Sequence, residues 1–201
     1  MKNRPISKSN LLVLICVKGN SKGLKNKNIL KINKKPLIQH AYEKSLKNKF
    51  PYVCLSTNSK KIIKISSKFG LKNFFIRSNS LCTTNVPKML VWRDSLIKSE
   101  KFFNKKFEFI LDIEVTNPLT SYIDLKNFYN YFKKVQKKCD GVFCFSQAKK
   151  NPYFNIMRKT EKGFKVFLES KNIFSRQKAP AAFDHVGAFY ILKKNYLLST
   201  K

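Results

Sequence analysis

The chain has 201 residues, 43% of them hydrophobic and 18 of them phenylalanine, so a disordered segment is excluded and one folded domain is expected. Its formal net charge of +31 comes mainly from 37 lysines, against only five arginines, spread along the whole sequence. That spread, without a known reader motif, favours a protein that does not bind nucleic acid, although the charge would attract an anionic substrate.

Two classes of protein are also disfavoured by the apolar residues and the cysteines. No apolar run approaches the roughly 18 residues of a membrane span, so no membrane association is expected. The five cysteines are scattered, odd in number and without zinc-site spacing. They predict reduced thiols in a cytoplasmic protein.

Apolar runs alternate with helix-periodic stretches over the first 146 residues. Short apolar runs predict strands at residues 11–17, 52–55, 73–76, 107–112 and 141–146. Stretches with a 3.6-residue period predict helices at residues 36–48, 59–69, 87–103 and 122–137, the last with Ser121 as its N-cap. This alternation predicts an α/β fold with a doubly wound, mostly parallel sheet.

The pattern changes after residue 146, where a small β excursion is expected over about residues 150–186. Short strands are predicted at 153–158 and 163–168, followed by a loop and a strand at 188–192. We treat all 201 residues as one domain that includes this excursion.

The loop Lys18 to Gly23 follows the first predicted strand. Ligands of open α/β sheets bind at the carboxyl ends of strands, and glycines allow backbone N–H groups to approach an anion. The loop matches neither the P-loop nor the dinucleotide fingerprint. From the residues alone, an anion-binding loop and an ordinary surface turn both remain open.

Seven segments together resemble the acylneuraminate cytidylyltransferase (CMP-sialic acid synthetase) family, over about residues 10–198. The loop at 19–29 is similar to the family's nucleotide loop, and Asp112-Ile113-Glu114-Val115-Thr116-Asn117-Pro118-Leu119 is similar to its DLDxTSPL motif. The other five segments are Ser56-Thr57-Asn58-Ser59, Arg77 with Leu81, Pro87-Lys88 with Val91-Trp92-Arg93-Asp94, Asn151-Pro152-Tyr153-Phe154-Asn155, and Arg176-Gln177 with Pro180. The segment at residues 112–119 and the last two segments together resemble the branch that activates legionaminic acid and related nonulosonic acids.

The resemblance implies a Rossmann-like nucleotide-diphospho-sugar transferase architecture and a defined reaction. CMP would pass from CTP to the anomeric hydroxyl of a nine-carbon 2-keto sugar acid, with release of pyrophosphate and with Mg²⁺ as cofactor. Such a transfer depends on positioning and on positive charge around the phosphates. The resemblance leaves a homodimer open.

The resemblance also implies roles for individual residues. Lys18 and Lys22 are the predicted catalytic residues, Lys22 neutralising the departing pyrophosphate. The predicted nucleotide-binding residues are Lys18, Gly19, Asn20, Ser21, Lys22, Gly23, Arg77 and Lys88. The predicted sugar-binding residues are Glu114, Tyr153, Asn155, Arg176 and Gln177, with Arg176 facing the sugar carboxylate. The predicted Mg²⁺ ligands are Asp112 and Glu114.

The sequence departs from the family pattern in ways that leave alternatives open. Asn58 replaces an aspartate, Thr120 replaces an arginine and Val186 replaces an asparagine. The family's later DIDT-type aspartate motif is expected to be missing, because the chain stops at Lys201 before it. The alternatives are a related transferase for another sugar acid or alcohol, a nucleotide-binding relative without turnover, and a basic nucleic-acid-binding module.

Overall fold

A computed structural model describes residues 4–19 and 23–199 of the chain. They form two compact units, Met1–Phe143 with Gly187–Lys201, and Cys144–Val186. The nine strands of the described part are β1 Leu11–Cys16, β2 Lys31–Ile32, β3 Lys35–Pro36, β4 Val53–Ser56, β5 Phe109–Ile113, β6 Gly141–Gln147, β7 Met157–Thr160, β8 Gly163–Val166 and β9 Phe183–Lys193. Its five α-helices are α1 Leu37–Lys47, α2 Lys60–Ser67, α3 Lys88–Phe103, α4 Tyr122–Val135 and α5 Lys194–Ser199.

The central sheet has five strands in the order β4-β1-β5-β9-β6. β1 pairs in parallel with β4 and with β5, with Leu14 opposite Cys54 on one side and Asp112 on the other. β9 runs antiparallel to β5, so the sheet is mixed and mostly parallel. The predicted α/β fold is therefore confirmed.

The inner strands β1 and β5 are buried on both faces because they are apolar at successive positions. Leu11 to Ile15 of β1 are all fully buried, although their side chains point alternately to opposite faces. On one face, Leu12 and Leu14 pack with Leu96 of α3 and Leu197 of α5. Helix α1 packs against β1 and against α4.

Helix ends follow the sequence signals. Ser121 caps α4 by a capping box, in which its Oγ accepts from the Asp124 N–H at 3.1 Å and Asp124 Oδ2 accepts from the Ser121 N–H at 2.7 Å. Ser59 caps α2, and Gly70 beyond that helix has a φ of +85°, which favours glycine. The predicted N-cap of α4 is confirmed.

Two predicted strands are wrong in whole or in part. Residues 73–76 form no strand, and only Ile76 makes an isolated bridge with Thr57. The segment is held instead by side chains, because Asn73 donates to the Leu55 carbonyl at 2.9 Å and Phe74 stacks on Phe102. The strand predicted at 153–158 begins only at Met157, after a turn.

The unit Cys144–Val186 contains an antiparallel hairpin of β7 and β8. Gly163 begins β8 with a φ of +115°, a conformation that other residues rarely adopt. The large apolar side chains of this unit are mostly exposed, with Phe164 at 70% and Phe174 at 85%. No helix in the described part of the chain combines the length and the hydropathy needed to span a bilayer.

Candidate active site

Three parallel strands end at the same edge of the sheet, where a cleft of about 400 Å³ opens. β1 ends at Cys16, β4 at Ser56 and β5 at Ile113. The segments that follow β1 and β5 line the cleft, as expected for the ligand-binding edge of an α/β sheet. Its lining residues are Cys16, Val17, Lys18, Lys27, Asn28, Arg77, Leu81, Thr83, Val86, Lys88, Val91, Glu114 and Thr116.

The charged side chains of the cleft are mostly cationic. Lys18, Lys27, Arg77 and Lys88 contribute four positive charges, against the one carboxylate of Glu114 in the lining. A concave surface of this composition attracts polyanions. Four predicted site residues, Lys18, Arg77, Lys88 and Glu114, are thus brought together.

The segment after β1 is held to the start of α2. The Gly19 N–H donates to Asn58 Oδ1 at 2.9 Å, and Asn58 Nδ2 donates to Asn79 Oδ1 at 2.9 Å. A Cβ on Gly19 would lie 2.8 Å from Ser59 Cβ, so this close approach requires glycine. Asn28 closes the other end of the loop by donating to the Lys18 carbonyl at 3.1 Å.

The predicted nucleotide loop is described only in part. Asn20, Ser21 and Lys22 lie outside the described residues. Gly23 is exposed, and a Cβ there would meet no atom of the described residues within 4 Å.

Arg77 is anchored at the end of β4. It is only 5% exposed, its Nε donates to Ser56 Oγ at 3.0 Å, and its Nη2 donates to the Ser56 carbonyl. Ser95 of α3 donates to the same Ser56 hydroxyl at 2.9 Å. The guanidinium therefore stabilises the floor of the cleft while lining it.

Lys88 joins two carboxylates at the end of β5. Its Nζ lies 2.6 Å from Asp112 Oδ2 and also contacts Glu114 Oε1. Burial alone would lower the pKa of Lys88, but the charges of Asp112 and Glu114 raise it above its ordinary value. Burial and the charge of Asp112 raise the pKa of Glu114 above its ordinary value, and the opposing effect of Lys88 does not cancel them.

The carboxylate pair offers oxygen ligands of the kind that Mg²⁺ takes. Asp112 is fully buried, and its Oδ1 has no hydrogen-bond partner among the described residues. Glu114 stands beside it at the cleft. Mg²⁺ is commonly held by one or two carboxylates together with substrate phosphates, so the pair fits such an ion. Residues 4–19 and 23–199 gather no cluster of three or more His, Cys, Asp or Glu side chains.

Hydrogen bonds from Lys44 of α1 hold the loop after β5 in place. The Lys44 ammonium donates to the Asn117 carbonyl at 2.8 Å and to Thr120 Oγ1 at 2.6 Å. Burial lowers the pKa of Lys44 to about 8, against the opposing effect of the Asp124 charge. Because Thr116 lines the cleft, this contact braces one of its walls.

Cys16 ends β1 within the cleft lining. Burial and the nearby charge of Asp112 raise the pKa of its thiol well above the ordinary value. Cys16, Cys54, Cys82 and Cys139 carry free thiols in the described part of the chain, and the reduced state predicted for all five cysteines stays a prediction.

The predicted sugar-binding residues other than Glu114 belong to the unit Cys144–Val186. The Tyr153 N–H donates to Asn151 Oδ1 at 3.0 Å, and Asn155 Oδ1 accepts from the Asn151 N–H at 3.4 Å. Arg176 and Gln177 are exposed in a short 3₁₀ helix. Their sugar-binding role stays a prediction.

The sequence reasoning missed several residues that form the cleft. Lys27 and Thr83 line it, Asn28 is 7% exposed and fixes the loop, and Ser56 anchors Arg77. A basic and amide-rich run after the glycine loop was the available signal for Lys27 and Asn28. Nothing in the local sequence marks Ser56 as the partner of an arginine 21 residues later.

The family model described as "Cytidylyltransferase" matches residues 12–200, nearly the whole chain. The chain belongs to the cytidylyltransferase family. The predicted family resemblance and the prediction of a cytidylyltransferase-type enzyme are therefore confirmed.

Three relatives are similar to this cytidylyltransferase over most of their length. "Post-translational flagellin modification protein B" of Campylobacter coli is 35% identical over 191 residues, which cover 94% of this chain and 80% of that protein. "CMP-N,N'-diacetyllegionaminic acid synthase" of Campylobacter jejuni is 35% identical over 189 residues, covering 94% of this chain and 79% of that protein. "Pseudaminic acid cytidylyltransferase" of the same species is 28% identical over 184 residues, covering 89% and 76%.

Solved structures agree on the fold. The structure of CMP:2-keto-3-deoxy-manno-octonic acid synthetase complexed with CTP aligns with a TM-score of 0.64 at 14% identity, covering 94% of this chain and 76% of that one. A 4-diphosphocytidyl-2C-methyl-D-erythritol synthase from Anaerococcus prevotii aligns with a TM-score of 0.59 at 12% identity, covering 93% and 73%. The predicted nucleotidyltransferase architecture is thus confirmed.

Proposed function

We propose that this cytidylyltransferase transfers CMP from CTP to a nonulosonic sugar acid of the sialic or legionaminic type and releases pyrophosphate. The observation that carries the proposal is the cleft at the strand ends, where Lys18, Lys27, Arg77 and Lys88 converge. Relatives named for legionaminic and pseudaminic acids support the class of acceptor. The proposed CTP substrate and the scattered, odd-numbered cysteines of the sequence support a cytoplasmic location.

The chain's own residues act by positioning and by charge. Lys18 and Lys27 hold the triphosphate against the loop that Gly19 and Asn28 fix. The anomeric hydroxyl of the sugar acid attacks the α-phosphorus and loses its proton to solvent. A new P–O bond forms, and the α–β phosphoanhydride bond breaks to release pyrophosphate. Preorganised cations around the departing pyrophosphate lower the barrier, because they favour the charge that develops there.

Asp112 and Glu114 would hold Mg²⁺ together with the phosphates of CTP. When bound, the ion would offset the negative charge of the triphosphate and of the leaving pyrophosphate. The buried Asp112 Oδ1 without a hydrogen-bond partner in the described part of the chain supports this assignment.

Pyrophosphate release tests the proposal directly. The protein is incubated with CTP and Mg²⁺, with or without N,N'-diacetyllegionaminic acid, pseudaminic acid or a 3-deoxy-octulosonic acid. We expect pyrophosphate and a CMP-sugar, identified by mass spectrometry, with at least one of the two nonulosonic acids and not without an acceptor. A product from the octulosonic acid alone favours the alternative of a related transferase for another sugar acid. Equal pyrophosphate with and without every acceptor contradicts the proposed transfer, and CTP binding without turnover establishes the nucleotide-binding alternative.

Lys27 and Lys25 provide a matched pair of variants in one loop. Lys27 lines the cleft, whereas Lys25 is exposed and does not. Loss of a charge-assisted contact corresponds to about 1.5–3 kcal/mol, so Lys27→Met should raise the KM for CTP by roughly 10- to 100-fold. Lys25→Met should leave the KM within about twofold, and an equal effect of both variants argues against a triphosphate at this cleft.

A further inference from the structure

The ammonium of Lys88 lies between Asp112 and Glu114, the two carboxylates that are the predicted metal ligands. It contacts a carboxylate oxygen of Asp112 at 2.6 Å and one of Glu114, so a single cation bridges the two acids. The rings of Trp92 and Tyr190 lie beside it, with centroids 5.3 Å and 5.0 Å from Nζ. Cations are favoured at such distances from aromatic rings.

The Lys88 bridge leaves one oxygen of the buried carboxylate pair without a partner in the described part of the chain. Asp112 is fully buried and shares the single ammonium of Lys88 with Glu114. Asp112 Oδ1 has no partner within residues 4–19 and 23–199. A buried carboxylate oxygen without a partner is costly, so a further positive charge at this point is favourable.

The position of Lys88 at the start of a helix allows its side chain to change conformation while the helix stays in place. Lys88 is the first residue of α3, directly after Pro87, and its side chain is about one-third exposed. Its flexible stem can redirect the ammonium while the helix stays in place. The cleft that it lines also contains Lys18 and Arg77, the residues assigned to the nucleotide.

We propose that Lys88 is an internal counter-cation that a divalent metal displaces, so that its ammonium is released from Asp112 and Glu114 to the phosphates of the arriving nucleotide. The inference rests on the proposed function for the identity of that nucleotide. The ammonium keeps the two acids paired before substrate binds and opposes the binding of metal alone. Metal and nucleotide then bind cooperatively, since each favours the same position of Lys88.

The test measures metal affinity without nucleotide or sugar. Free Mn²⁺ is quantified by electron paramagnetic resonance during titration of the wild-type protein, Lys88→Met and Lys98→Met. Lys98 is the matched control, because it lies on the same helix and pairs with Asp94 at 2.8 Å. Removing a positive charge next to the ligands should lower the Kd for Mn²⁺ by about tenfold or more in Lys88→Met, whereas Lys98→Met stays at the wild-type value.

Two results separate displacement from a purely structural bridge. Adding Asp112→Asn to Lys88→Met should abolish the gain in Mn²⁺ affinity. If Lys88→Met binds Mn²⁺ no more tightly than the wild type, the proposal is overturned. Transferase activity is not needed for this readout, so a failed transfer assay with a large gain in Mn²⁺ affinity rejects the proposed function alone.

A second measurement applies if Lys88→Met does not fold. The Nζ resonances of the ¹⁵N-labelled wild-type protein are followed while Mg²⁺ and a non-hydrolysable α,β-methylene analogue of CTP are added. The Lys88 resonance should shift only when both are present, and that of Lys98 should stay unchanged. A Lys88 resonance that is unaffected by the pair overturns the proposal.

Discussion

At the scale of the residue, the buried lysine of α1 shows how a charge is kept inside the protein for a structural purpose. Lys44 is 6% exposed, yet its ammonium fastens the loop after β5 through Asn117 and Thr120. Burial of the charged form is unfavourable, and this lowers its pKa to about 8 from an ordinary value of 10.5. Two hydrogen bonds partly offset that cost.

This lowered pKa predicts how stability changes with pH. Between about pH 8 and pH 10.5 the unfolded chain keeps the Lys44 proton that the folded protein has lost, so this residue's contribution to the free energy of unfolding rises with pH. The free energy of unfolding of the wild type minus that of Lys44→Met should therefore become more positive from pH 7.5 to pH 10. Urea denaturation measures it, with the exposed Lys47→Met as control. A difference that falls or stays constant over this range contradicts the assignment.

At the scale of the element, the segment after β1 and the beginning of α2 depend on each other. The Gly19 N–H bonds to Asn58, while Ser59 caps α2 by accepting from the Ile62 N–H at 3.4 Å. The missing side chain at Gly19 is what allows the two segments to meet.

Gly19→Ala and Gly23→Ala test this dependence. A methyl group on Gly19 would overlap with Ser59 and force the segments apart, and such overpacking typically costs about 1–3 kcal/mol. We expect Gly19→Ala to weaken CTP binding by roughly tenfold in calorimetry, because the loop that holds the triphosphate shifts. Gly23→Ala meets no atom within 4 Å in the described part of the chain, so it should weaken CTP binding less than Gly19→Ala does. Equal CTP affinities of the wild type and both variants would show that the close contact between Gly19 and Ser59 does not determine nucleotide binding.

Elements that carry their own hydrophobic period were predictable from the sequence. Helices α1, α3 and α4 and strand β1 agree with their predicted bounds to within about two residues, because their apolar pattern is local. Residues 73–76 were predicted wrongly, since a four-residue apolar run does not reveal whether its backbone finds a partner strand. The stacking of Phe74 on Phe102 joins residues 28 positions apart, and only the folded chain brings them together.

The same limit applies to the site. The convergence of Lys18, Arg77, Lys88 and Glu114 followed from parallel strands ending at one edge together with the family resemblance. The structural roles of Arg77 on Ser56 and of Lys44 under its loop depend on contacts between distant segments. No residue spacing within either segment encodes them.

At the scale of the whole molecule, charge dominates. A formal net charge of +31 produces a positive field over the protein, and such a field speeds the encounter with an anionic nucleotide. The field is screened by salt, with a Debye length of about 10 Å at 0.1 M and about 3 Å at 1 M.

Salt should therefore weaken CTP binding more than the binding of the uncharged nucleoside. Raising NaCl from 50 to 500 mM is expected to increase the Kd for CTP by roughly tenfold, because screening reduces the attraction of its phosphates. The Kd for cytidine should change by less than about twofold. Equal salt dependence for both ligands, measured by calorimetry, would contradict electrostatic attraction. Fluorescence anisotropy with duplex DNA under the same conditions tests the nucleic-acid-binding alternative.

The cysteine at the end of β1 has a consequence for chemical resistance. With its pKa raised by burial and by Asp112, Cys16 stays protonated at neutral pH, and a protonated thiol is a far weaker nucleophile than a thiolate. Peroxide and alkylating reagents should therefore modify this position slowly, even though it borders the cleft. A sulfur atom can thus border the cleft without making this position sensitive to oxidants.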